Sequence, residues 1–206
     1  MLLQLKKNRL LLRPLIVLML LIVPRLTYAA AHTPMEVIRT ETDKVLAILH
    51  QSKTGPSRPV GEREGEILDV VSSYFNFDEM AKRSLGHPWN QLPPEERQEF
   101  AELFKKLLFN NYVDRMEHYH NEQIFYDSQK VDDDSAVVKT HFLHQNENIQ
   151  IDYRLHKEGG QWKVYDVVVE GISYVDNYQG QIASILANQS FDSLLKMLRQ
   201  KVERTS

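Results

Sequence analysis

Two hydrophobic periods succeed one another along the chain. Thr33-Pro34-Met35-Glu36 places a hydroxyl residue at an N-cap, proline at the first helical position and glutamate three residues after the cap, which is a capping box. The apolar set Val37, Ile38, Val45, Leu46 and Leu49 then predicts a helix to about His50. Residues 53–65, with two prolines and three glycines, predict a loop. Helical spacing resumes over 66–75 through Ile67, Val70, Val71 and Tyr74, and Asp78 is the expected cap of a short helix stopped at Gly86. Pro93-Pro94-Glu95-Glu96 opens the longest helix, whose stripe is Phe100, Leu103, Phe104, Leu107 and Leu108, with Tyr112 at its edge.

Beyond about His120 the period drops to two. Ala136, Val138, Thr140 and Phe142 alternate with Val137, Lys139 and His141, and Ile149, Ile151, Tyr153 and Leu155 with Gln150, Asp152 and Arg154. Gly159-Gly160 predicts a hairpin turn into a strand over 161–170, and an opening strand is expected at 123–129. Short turns leave no room for crossovers, so the strands predict a four-stranded antiparallel meander. Amphipathic segments over 175–188 and 191–203 close the chain. The class is α+β, with helices packed on one sheet face.

Composition changes the picture at the N-terminus. Lys6, Lys7, Arg9 and Arg13 precede the apolar run Leu15 to Val23, and Ala29, Ala30 and Ala31 follow, the pattern of a secretory signal peptide over residues 1–31. Two small-x-small triplets, Thr27-Tyr28-Ala29 and Ala29-Ala30-Ala31, leave two cleavage points open. The apolar run is short of the roughly 20 residues that span a bilayer. Without this segment the Lys plus Arg count falls from 25 to 20 against 28 Asp plus Glu, a balance of about −8. An acidic domain over residues 32–206 argues against nucleic acid and against resting on anionic membranes, which demand clustered Lys and Arg. With no cysteine there is no disulfide and no thiolate chemistry.

Catalytic signatures are sparse. Gly-x-Ser-x-Gly, Gly-rich phosphate loops and His-Glu-x-x-His are all absent. His118 and His120, two apart on a helix, diverge, and His141 and His144, three apart on a strand, point to opposite faces, so no metal site is expected. Asp132-Asp133-Asp134 falls where a turn is needed. Asp166 interrupts the apolar alternation of Val164 and Val168, a position that suits either a hydrogen-bonded structural carboxylate or a general base.

An ordered set of motifs extends from Phe77 to Ile182: Leu85-Gly86-His87-Pro88-Trp89, Pro93 to Phe100, Leu107-Leu108, Asn111-Tyr112, Trp162 to Val167, Glu170-Gly171-Ile172-Ser173 and Asn177-Tyr178. In this the chain resembles the toluene-tolerance and Mla-pathway family of periplasmic phospholipid-binding proteins, which includes a hopanoid-associated homologue. One departure stands out, Gln179-Gly180-Gln181-Ile182 where many members carry Arg-Ser-Gln-Phe. The resemblance implies an NTF2-like α+β domain with an apolar pocket between sheet and helices. It implies no cofactor and a cargo of phospholipid, or of another diacyl or hopanoid lipid. The implied partners are an outer-membrane lipoprotein and porin complex and an inner-membrane ABC transporter bearing an MCE-domain subunit.

On that reading the expected lining is Phe104, Leu107, Leu108 and Tyr112 from the long helix, with Val138, Phe142, Ile151, Tyr153, Val164 and Val168 from the strands. The same residues suit a plain core, and Val167 and Val169 compete with Val164 and Val168 for the inner face. The alternatives are an NTF2-like isomerase or hydrolase with Asp166 as base and Tyr112 or Tyr153 as hydrogen-bond donor, and an interaction module with a filled core.

Overall fold

The computed structural model describes residues 32–54, 60–117, 123–144 and 147–204, apart from the side chains of 52–54, 60 and 112–117. The expected signal peptide, His118 and His120 lie outside these residues. No helix among the described residues is long and apolar enough to cross a membrane.

The first helix, α1 (Pro34–Thr54), starts as its sequence dictates. Glu36 N–H donates to Thr33 Oγ1 at 3.2 Å and Thr33 N–H to the Glu36 carboxylate at 2.8 Å, so two orphan donors of the first turn are satisfied reciprocally. Helix α2 (Val60–Tyr74) takes in Gly61 and Gly65, part of the expected loop; its apolar face, Ile67, Val71 and Tyr74, is buried against the sheet, and that burial overrides the two glycines. Helix α3 (Phe77–Leu85) is capped by Asn76 rather than Asp78, because the Asn76 side chain accepts from Glu79 N–H at 2.8 Å. It stops at Gly86, whose φ of 69° suits glycine. A 3₁₀ turn over His87–Gln91 leads into α4 (Pro94–Glu117).

The sheet has five strands where the alternation gave four: β1 (Ile124–Asp132), β2 (Ser135–His144), β3 (Glu147–Glu158), β4 (Gln161–Val169) and β5 (Ile172–Ser173), all antiparallel neighbours in chain order. β5 is two residues long, too short for periodicity to reveal. It forms because Glu170 (φ 50°) and Gly171 (φ 78°) reverse the chain onto β4. Asp133 (φ 48°) makes the β1–β2 turn and Gly159-Gly160 the β3–β4 turn, both where the sequence places them. Helices α5 (Tyr174–Leu186, capped by Ser173) and α6 (Phe191–Arg204) complete the chain.

Two register shifts decide which side chains share a face. On β1 the register passes from Tyr126↔Thr140 to Ser128↔Lys139, leaving Asp127 as the extra residue of a bulge. On β4 it passes from Leu155↔Val164 to Arg154↔Asp166, leaving Tyr165 extra. Trp162 and Val164 therefore share the inner face with Val167 and Val169, while Asp166 and Val168 point to the other side. The inner face is covered by α1 and α2. Helices α3 to α6 form a second core around Phe100, Phe104, Leu107, Leu108, Leu194, Leu195 and Leu198. This core sits against β4, with Phe75 bridging to Val164 along the β4 edge. The helices thus do not all lie on one sheet face. A twisted sheet with a free β4 edge exposes backbone there, and residues 75–76 and 172–173 pair with it. Phe75 and Phe77, stacked at 5.6 Å, pack against both cores.

Candidate functional site

Burial along the inner sheet face is graded. At the end with the β1–β2 and β3–β4 turns, Ala136, Val138, Leu155, Trp162 and Val164 are at most 7% exposed, beneath Ile38, Val45, Leu49, Ile67 and Val71. At the opposite end Ile124, Tyr126, Phe142, Ile149, Ile151, Tyr153 and Val169 share the face but stay only half-buried. Phe109 of α4 and Tyr174 of α5 pack at the margin of the same core. The strip has no unmet polar atom from Thr140, whose hydroxyl donates to the Ile151 carbonyl at 2.9 Å. A large apolar patch left half-covered marks a binding surface.

The ten expected lining residues separate into four groups. Phe142, Ile151 and Tyr153 lie on the half-covered strip. Val138 and Val164 share its face but are fully buried at the closed end. Phe104, Leu107 and Leu108 face α3, α5 and α6 in the helical core, because a stripe three to four residues apart commits to one neighbour and α4 turns it away from the strands. Val168 is on the opposite sheet face, and the Tyr112 side chain lies outside the described residues. Ile149, Val169, Phe109, Tyr126 and Tyr74 complete the setting without having been singled out. Ile149 was visible as the next inner position before Ile151, whereas Val169 needed the bulge at Tyr165.

Two tyrosines place polar tips in this apolar setting. Tyr74, at the end of α2, is 7% exposed, and Tyr153 sits between Val138 and Val167 in the register. Burial pushes both phenols well above their ordinary range, helped for Tyr74 by nearby Tyr153 and Glu41, and for Tyr153 by Tyr126 and Tyr174. Both stay neutral donors at any physiological pH. At the rim Arg39 stacks over the Tyr126 ring at 4.5 Å.

Asp166 belongs to a different place. Its carboxylate, 2% exposed, accepts from Arg154 Nη1 at 2.9 Å, Ser173 Oγ at 2.7 Å and Val175 N–H at 3.1 Å. Ser173 Oγ in turn accepts from Asp176 N–H, so the carboxylate ties β3, β4 and the α5 N-terminus together. The adjoining cleft of about 340 Å³, lined by Arg83, Tyr165, Asp176 and Gln179, is polar. Gln179, where related sequences carry arginine, donates to the Arg83 carbonyl at 3.2 Å and lies against Gly86. A second cleft of about 370 Å³ at the Phe75–Phe77 joint is lined by Asn76, Lys105, Glu158 and Lys163. Neither is the dry hollow expected from the sequence. Among the described residues no cluster of three or more His, Asp or Glu could hold a metal ion.

Helices across one face of an antiparallel sheet, with an apolar strip open at one end and no catalytic cluster assembled on it, define an α+β binding domain rather than a recognisable catalytic centre. The family model described as MlaC protein matches residues 39–200, and the chain belongs to this family. It is 23% identical over 184 residues to the intermembrane phospholipid transport system binding protein MlaC of Haemophilus influenzae, covering 86% of each chain. It is 27% identical over 172 residues to the toluene tolerance protein ttg2D of Pseudomonas putida, covering 82% of this chain and 80% of that one. The fold matches that of a phospholipid-binding protein from Ralstonia solanacearum, solved in complex with a phospholipid, with a TM-score of 0.76 at 23% identity over 84% of this chain and 99% of that one.

Proposed function

We propose that this protein is a periplasmic carrier that binds the acyl chains of a phospholipid on the half-covered strip of the inner sheet face. It then passes the lipid between an outer-membrane lipoprotein and porin complex and an inner-membrane ABC transporter with an MCE-domain subunit. The observation that carries this reading is the contrast along one sheet face between sealed core at Val138 and Val164 and open apolar surface at Phe142, Ile149, Ile151 and Val169. The names of the two relatives support it. So does the NTF2-like character of a sheet with helices across one face and an opening at one end. Residues 1–31 supply the cleavable export signal, and the lipid is cargo rather than a cofactor.

The physical need is large. At about 0.8 kcal/mol per methylene, two acyl chains of about 15 methylenes each cost about 24 kcal/mol to hold in water. A carrier removes that cost only with a lining as dry as the bilayer interior. Tails are then nearly isoenergetic in protein and membrane, so direction comes from docking and from ATP use in the transporter. The carrier itself needs no catalytic group, and Asp166, held by three donors on the other sheet face, is not aimed at the strip.

Native mass spectrometry of the exported form, purified from a diderm bacterium, tests the reading. A complex heavier than the chain by one or more diacyl lipids is expected. A bare chain mass, with no lipid in an organic extract, sinks it.

A further inference from the structure

Tyr74 and Tyr153 pose a problem that acyl chains alone do not solve. The Tyr74 ring is buried beneath α1 and α2, and Tyr153 projects from the middle of the inner face. Neither hydroxyl has a hydrogen-bond partner among the described residues. Nor is either among the sealed, unpaired side-chain atoms, which include Ser72 Oγ and Ser84 Oγ. Both phenols therefore open onto accessible space beside the strip, where water can serve them while it is empty. A hydrocarbon chain filling that space would displace the water and strand two donors, which costs more than leaving the space wet. A ligand that brings acceptors to the same depth avoids the cost.

Resting on the carrier reading above, we infer that the Tyr74 and Tyr153 hydroxyls donate to the ester carbonyls of a glycerol diester lipid, and that the site selects ester-linked diacyl lipids over ether-linked lipids and hopanoids. The acceptor must be neutral and shallowly polar, because neither tyrosine has a cation beside it; the nearest aromatic-bound guanidinium, Arg39 on Tyr126, is at the exposed rim, suited to a headgroup. Ester carbonyls lie between headgroup and tails, so with tails along Phe142, Ile149, Ile151 and Val169 they fall at the tyrosines. Phenols that stay protonated donate equally well across physiological pH. A hopanoid hydrocarbon skeleton, or an ether linkage, brings no carbonyl to this depth.

The test uses the delipidated exported chain incubated with vesicles holding equal amounts of dioleoyl phosphatidylglycerol and its dioleyl ether analogue, with loading read by native mass spectrometry. Two hydrogen bonds at about fivefold each predict roughly a 25-fold preference for the ester. In Tyr74→Phe/Tyr153→Phe, ester loading should fall until the ratio approaches one. Equal loading of both lipids by the parent protein overturns the inference without need of any variant, as does a ratio that survives in a double variant with an unchanged melting temperature. If the parent protein loads neither lipid, the carrier reading itself has failed.

Discussion

Single residues show the division of labour between polar groups that hold the fold and apolar groups that face the strip. Asp166 is of the first kind. Asp166→Ala leaves Arg154, Ser173 Oγ and the first turn of α5 without their shared acceptor. Losing one partner of a buried pair costs about 3–5 kcal/mol, and because Arg154 is 40% exposed the expectation falls to about 2 kcal/mol in urea unfolding, with lipid retention intact in the folded protein. Glu36 offers a pH test. Its hydrogen bonds from Thr33 hold the carboxyl below its ordinary value, so its contribution is full above the unfolded pKa of about 4.3 and vanishes as pH falls through the lower folded value. The stability gap between the parent protein and Glu36→Gln should therefore be present at pH 6 and close in acid; a gap that widens in acid would contradict the capping box.

At the scale of elements, α4 and β3 have opposite roles although both are amphipathic. The α4 stripe is sealed among α3, α5 and α6, so Leu108→Ala should cost about 3 kcal/mol through transfer and cavity terms. Ile151 on β3 is only half-buried, so Ile151→Asn should move the melting temperature little while lowering the fraction of protein that carries lipid. If Leu108→Ala instead leaves stability unchanged and empties the protein of lipid, α4 rather than the sheet lines the site. The elements themselves were largely legible. The capping box of α1, the glycine stop of α3 and the two-residue turns at Asp133-Asp134 and Gly159-Gly160 are local chemistry, and they act where the sequence places them. The start of α2 and the strand β5 were not, because tertiary burial and pairing with the β4 edge create them.

Across the whole molecule, two cores meet at Phe75 and Phe77, one sealed among helices and one left open at its far end. An open apolar end lowers the stability of the empty protein, and a ligand that binds only the folded state restores it in proportion to the logarithm of its concentration over Kd. Delipidated protein should thus melt below the lipid-loaded form, and the melting temperature should rise with added diacyl lipid; an unchanged melting temperature would mean the strip is not where lipid binds. The motifs behind the family resemblance are spread over both cores. Asn111 of α4 donates to Tyr178 of α5 at 2.9 Å, and Asp166 meets Ser173, so these motif residues hold elements together rather than touch cargo.

The amino-acid sequence by itself determined the order of helices and strands, their antiparallel pairing, the caps and turns, and the family, since each depends on neighbours within a few residues or on motif order. Only the tertiary structure decided which apolar residues are sealed and which remain open. Both α4 and the strands carry the same hydrophobic signal, and periodicity states that a face is buried without naming what buries it. Bulges at Asp127 and Tyr165 shift the alternation by one residue, which moves Val168 and Asp166 to one side of the sheet and Val167 and Val169 to the other, and a one-residue slip of period two is invisible until the partner strand fixes the register.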